Sequence, residues 1–301
     1  MIHGVINIYK EKGYTSHDVV AKLRGILKQK KIGHTGTLDP DAEGVLPVCL
    51  GRATKLCDLL TDKDKTYRAV MLLGTVTDTQ DTSGTVLQEK EVCVSEKEVQ
   101  EAIQSFEDTY DQIPPMYSAL KVNGKRLYEL AREGKEVERK PRPVTIFEIK
   151  TERIELPRVT MTVKCSKGTY IRTLCHDIGE KLGCGACMEQ LTRTKAGRFS
   201  IEESFKISEV EQKMREGTID EILTAVDQMF LNCRKVTAGQ EYQKLLENGN
   251  PFAMGCQEGE EDFQDQEQIR VYNENGVFYG IYRFEKERNG FWPVKIFFER
   301  G

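Results

Sequence analysis

Residues 33–56, GHTGTLDPDAEGVLPVCLGRATKL, constrain this chain more than any other stretch. Gly33, Gly36, Pro40 and Gly44 punctuate a loop that carries His34, Thr35, Thr37, Asp39, Asp41 and Glu43. Val45, Leu46, Val48 and Leu50 follow as a short apolar run, which reads as a buried strand. A polar loop held against a rigid strand is a common way to present a reactive group. Asp39 directly precedes Pro40, so contact with the proline ring pushes its backbone toward the extended region and aims its side chain. Taken alone, an Asp-Pro pair is an ordinary turn initiator. The whole string gives it weight.

That string resembles the second motif of the TruB family of tRNA pseudouridine-55 synthases, G-H-x-G-x-L-D-P-x-A-x-G-x-L-P-x-x-x-G-x-A-T-K, at every fixed position. A match over more than twenty residues around one carboxylate is far more specific than a short pattern. The resemblance implies Asp39 as catalytic nucleophile and His34 as a substrate contact.

Further motifs follow in order. Residues 2–8 read as a strand, and Ser16 reads as the N-cap of a helix with Val19, Val20, Leu23, Ile26 and Leu27 on one face. This opening resembles the family's K-P-x-G-x-T-S motif, with Glu11 in place of proline, and implies Lys12 as a substrate-binding residue. Tyr67 lies in D-K-x-Y, upstream of G-x-x-T-D-T-x-D-x-x-G at Gly74 to Gly84; by resemblance it stacks on the target uracil. Ser95 and Glu98 form a capping box before an amphipathic helix. Residues 112–144 carry paired prolines, Tyr117, Tyr128 and many Lys/Arg, and resemble the thumb insertion laid on the T-arm of tRNA. K-G-T-Y-I-R holds Tyr170 and Arg172, which share one face if the segment is still extended. Leu191, in LTRT, is expected to pack at the target base. From about residue 232 a T-x-x-Q cap (Thr237, Gln240), a helix and Asn-Gly-punctuated strands resemble a PUA domain.

Bulk properties agree with an RNA partner once charge is placed along the chain. The net charge is −4, but residues 1–35, 119–143 and 164–198 together carry +13, leaving −17 elsewhere. Such separation can build a basic face for phosphate on an acidic protein. The acidic stretch 257–268 is expected to be a solvated loop. No apolar run is long enough for a signal peptide or membrane span, and the nine cysteines lack framework spacing. These features suit a cytoplasmic protein with reduced thiols. Cys184 and Cys187 form a lone C-x-x-C, too little for zinc. No nucleotide-cofactor or metalloprotease motif is present, so neither cofactor nor metal is expected.

The expected fold is therefore mixed α+β. A pseudouridine-synthase catalytic domain (1–231) is built around an antiparallel sheet with the thumb at about 112–144, and a PUA β-barrel spans 232–301. The implied reaction is isomerisation of a T-loop uridine, flipped out of its stack and attacked by Asp39, either at uracil C6 or at ribose C1′. Arg172 is the cation expected to keep that carboxylate ionised. Tyr170 organises the site or moves a proton. The partner is tRNA alone, bound by a monomer without membrane or protein partner. Two alternatives stand beside this. A guide-dependent dyskerin-type synthase is disfavoured by the thumb, which those enzymes lack, and a non-catalytic tRNA-folding chaperone by the retention of Asp39, Tyr67 and Arg172.

Overall fold

A computed structural model describes residues 1–122, 124–253 and 262–298. Seven strands form the spine of the larger sheet: β1 (Gly4–Lys10), β2 (Glu43–Leu50), β3 (Lys65–Leu73), β4 (Asp108–Gln112), β5 (Arg142–Glu155), β6 (Arg158–Cys165) and β7 (Ala186–Ala196). They lie in the order β1-β2-β7-β3-β6-β5-β4, with short strands Ile32–His34 on β2 and Phe199–Ser200 on β7. The joins along the spine are antiparallel except one. β2 and β7 run parallel, pairing Glu43 with Thr192 and Gly44 with Arg193.

The apolar run after the Asp39 loop forms β2, buried on both faces. Leu46, Val48 and Leu50 pack with Ile6 and Ile8 against helices α1 (Ser16–Leu27) and α4 (Ile207–Glu216). Val45 and Cys49 point the other way, toward Ile281 and Phe297 of the C-terminal region. Burial on both faces explains why alternation is lost there. In β3 and β6, by contrast, alternation is kept. Ala69, Met71, Val159, Met161 and Val163 face a core covered by α2 (Glu96–Gln104) and α3 (Ile171–Lys181). The opposite face is solvated, and there Arg68 pairs with Glu152 at 2.8 Å.

Several local expectations shift. Thr15, not Ser16, caps α1, in a capping box with Asp18. Ser16 is buried and bonds the backbone of Leu38 instead. Ser95 and Glu98 do form the capping box of α2. Tyr170 and Arg172 do not alternate on a strand: Tyr170 is the N-cap residue of α3 and Arg172 lies in its first turn. The thumb region is a small hairpin, Lys121–Val122 against Lys125–Arg126, followed by a helix at Leu127–Arg132.

The C-terminal region is a five-stranded sheet in the order Arg234–Ala238, Gln268–Asn273, Phe278–Glu285, Gly290–Ile296, Phe252–Ala253. Thr237 belongs to its first strand rather than to a cap, and the helix is short, Gln243–Glu247. Of the acidic stretch, residues 257–261 lie outside the described residues. In its remainder Phe263 is buried, and Glu267 pairs with Arg234 at 2.7 Å.

Candidate active site

The Asp39 loop is pinned from several sides, by side chains reaching its backbone and by backbone bonds of its own. Ser16 Oγ accepts from Leu38 N at 3.0 Å. Lys10 Nζ, fully buried, donates to Pro40 O at 3.1 Å and Ala42 O at 2.5 Å. Gly13 N donates to Pro40 O at 2.9 Å, and Ala42 N closes a turn on Asp39 O at 3.1 Å. Beneath the loop, Arg193 is 1 % exposed; its Nε donates to Val45 O at 2.6 Å and its Nη2 to Gly36 O at 3.2 Å. Gly44 sits at the parallel join with φ +103°, and a Cβ there would meet the Arg193 carbonyl at 2.3 Å. Only glycine fits.

Arg172 answers Asp39 across the cleft. Its Nε stands 3.0 Å from Oδ2 and its Nη2 3.3 Å from Oδ1, a fork-on-carboxylate pair. The other donors go to Thr79 O at 3.0 Å and Tyr117 O at 2.8 Å, and Asp81 lies 3.7 Å from Nη1. Arg172 is thus only 5 % exposed and joins three segments: the Asp39 loop, the 78–84 turn and the root of the thumb. Asp39 itself keeps 41 % of its side-chain exposure. Even so, its carboxyl is pushed above its ordinary value, first by burial at the cleft floor, against the pull of Arg172 and Lys10 and with a further push from Asp81. A group at the floor of a deep cleft is reached by solvent on one side and walled by protein on the others, which reconciles these two properties.

The cleft encloses about 1250 Å³. Asp39, Arg172, Tyr67, Tyr170, Leu191 and Lys12 all line it. His34 does not. Its ring meets His17 edge-on at 5.5 Å between centroids, and His17 lines the cleft instead. Burial and then His17 hold the His34 imidazole below its usual range. Tyr67 and Leu191 come from adjacent strands, β3 and β7, and Tyr67 neighbours Arg193. Burial raises the phenols of both Tyr67 and Tyr170. Lys10 and Lys65 are buried cations whose ammonium groups burial lowers to about 8. On the rim stand Lys12, Lys121, Arg126, Arg132 and Lys167, contributed by all three basic windows.

Lys10, Ser16, Arg193, Gln112 and the Tyr117 carbonyl escape a reading of the sequence. For Arg193 a signal exists: it follows Leu191 by two in a strand, so it must share the buried face.

Comparison with known proteins completes the description. The family model described as the N-terminal domain of TruB family pseudouridylate synthase matches residues 24–171. That described as the tRNA pseudouridylate synthase B C-terminal domain matches residues 172–231. A protein of Lachnoclostridium phytofermentans named tRNA pseudouridine synthase B is 54% identical over 98% of this chain and 100% of its own length. One of the same name from Clostridium perfringens is 47% identical over 99% of this chain and 100% of its own. Among solved structures, a Cbf5-Nop10-Gar1 complex has a chain that superposes with TM-score 0.73 at 26% identity, covering 99% of this chain and 86% of that one.

Proposed function

This chain belongs to the TruB family of pseudouridylate synthases and is an RNA pseudouridine synthase, an isomerase of tRNA pseudouridine synthesis; from that premise we propose how its residues divide the work. The substrate is the T-loop uridine at position 55, flipped into the cleft. Asp39 is the nucleophile, adding to uracil C6 or ribose C1′. The C1′–N1 bond breaks, the ring turns, and C5 bonds to C1′; the bond to Asp39 breaks and restores its carboxylate, a proton leaves C5 and one is taken up at N1. No redox change occurs.

The observation that carries this reading is the forked Arg172–Asp39 pair at the floor of a cleft rimmed with lysines and arginines. A guanidinium beside the carboxylate favours the charged, nucleophilic form against the push of burial. Tyr67 stacks on the flipped base and Leu191 fills its other side. Tyr170, its phenol held protonated by burial, suits hydrogen bonding better than proton removal. Lys12 contacts RNA at the rim, and His34 acts from behind His17. The thumb lies on the T-arm backbone, where arginines beside Tyr128 offer both charge and a stacking ring.

The division into a catalytic domain (1–231) and a PUA-like RNA-binding domain (232–301) belongs to the same proposal. So do action as a cytoplasmic monomer and independence from protein partners. The dyskerin-type reading has the support of fold similarity alone, whereas the curated relatives favour the tRNA enzyme. The test is direct: incubate purified protein with an unmodified tRNA transcript and map pseudouridine by carbodiimide chemistry. Modification at the T-loop uridine is expected. A transcript left unmodified by folded protein would refute the reading.

A further inference from the structure

Gln112 closes β4 and is 1 % exposed. Its amide holds both backbone polar groups of Tyr170, which belong to the two peptide groups on either side of that residue: Oε1 accepts from Tyr170 N at 2.8 Å, and Nε2 donates to Tyr170 O at 3.1 Å. The remaining Nε2 hydrogen goes to the Tyr110 hydroxyl at 2.6 Å. That hydroxyl in turn bonds Asp177, a residue of α3. A primary amide is the side chain that offers a donor and an acceptor side by side, so it fixes both the place and the orientation of the residue whose backbone it meets.

The held residue, Tyr170, is the N-cap from which α3 springs. Tyr170 O accepts the helical bond from Leu174 N at 3.0 Å, and Arg172 lies in that first turn. A cap that merely satisfied a helix end would need only a free N–H group as its target. Gln112 instead also bonds a carbonyl that already has its helical donor. What the second bond adds is orientation. Five residues on, the Tyr117 carbonyl receives Arg172 Nη2 at 2.8 Å. The strand-to-thumb segment 112–117 is therefore tied to the start of α3 at both of its ends.

The geometry points to Gln112 as a positioning residue for the reaction, holding the first turn of α3 so that the Arg172 fork meets the Asp39 carboxylate. It touches neither reacting atoms nor the cleft; it acts through Tyr170 and Arg172. The inference rests on the isomerase reading above, and its test separates the two.

Gln112→Met keeps the volume and removes all three bonds. On a tRNA transcript at saturating enzyme, its single-turnover rate should fall roughly ten- to hundredfold, the scale of a small misplacement of a catalytic group. Affinity for tRNA should stay within about threefold. The acid limb of the rate profile should move to higher pH, because a displaced Arg172 no longer opposes the push of burial on Asp39. In an Arg172→Met background the same change should cost less than about twofold, since two residues acting as one unit are not additive. Tyr110→Phe removes only the outer link and should give a smaller loss with the same direction of acid shift. A wild-type rate and profile in Gln112→Met overturns the inference, as does equal loss in both backgrounds with an unshifted acid limb. Should Gln112→Met fail to fold, a wild-type rate and profile in Tyr110→Phe overturns it. Absence of product from the wild-type enzyme itself would instead remove the isomerase reading.

Discussion

Arg172 meets Asp39 through two nitrogens, Nε at 3.0 Å from one carboxylate oxygen and Nη2 at 3.3 Å from the other, although the residues stand 133 positions apart. One comes from a proline-braced loop and the other from the first turn of a helix.

Asp39→Asn keeps the size of the side chain and its taste for turns while removing the negative charge on which the proposed attack depends. Folding and tRNA affinity should survive, and single-turnover pseudouridine formation should drop to background. Wild-type product at saturating enzyme would return Asp39 to the status of a turn residue.

Arg172→Met removes the strongest pull on the Asp39 carboxyl, whose value burial already raises. The carboxyl should therefore rise further, so that its ionised form is lost at a higher pH and the acid limb moves up. The defect should be larger at pH 6 than at pH 8. The Thr79 and Tyr117 carbonyls also lose a donor, costing about 1–3 kcal/mol each if left unpaired. A defect of equal size at both pH values would argue against electrostatic control of Asp39.

Tyr67 tests the base contact. Phenylalanine retains a ring, leucine does not, and base stacking on an aromatic ring is worth about 1–3 kcal/mol. Tyr67→Phe should therefore bind tRNA nearly as wild type, and Tyr67→Leu more weakly, in a filter-binding titration. Equal affinities would dismiss the stacking role.

The rim charges test the RNA path. Lys121, Arg126 and Arg132 face the cleft from the thumb. Reversing them should weaken binding and reduce the slope of log affinity against log salt by about 0.7–0.9 per lost phosphate contact. An unchanged slope would mean that the thumb does not meet the backbone.

Phe297 tests how independent the C-terminal region is. It is buried and packs with Val5, Val45 and Cys49 of the larger sheet, and its ring lies 5.7 Å from that of Phe278. Phe297→Ala should destabilise the protein by about 3–5 kcal/mol. Because the core is shared, unfolding should follow one transition; two separate calorimetric transitions would show the regions to be energetically independent.

Much of this site is legible in the linear order of residues. The Asp39 loop, the buried run after it, the Tyr67 strand and the K-G-T-Y-I-R segment are each contiguous in the chain, and each is marked by its own turn residues, apolar pattern or candidate side chain. Local sterics and periodicity act over a few residues, so such units can be read where they stand. The C-terminal strands and the capping box at Ser95 are legible for the same reason.

What only the tertiary structure decided are the contacts between those units. Lys10, Ser16, Gln112, Arg172 and Arg193 all act on backbone groups, and every residue offers a backbone carbonyl and, proline aside, an N–H, so no residue type marks the other end of the bond. The parallel join of β2 to β7, which pairs Gly44 with Arg193, is set by strand order and not by either strand's own pattern. His34 shows the limit from the other side. Its motif places it beside Asp39 in sequence, but pairing with Val48 in the sheet sets its ring against His17. Sequence specified which groups are present. The sheet, by fixing neighbours that the chain does not make adjacent, specified which of them meet.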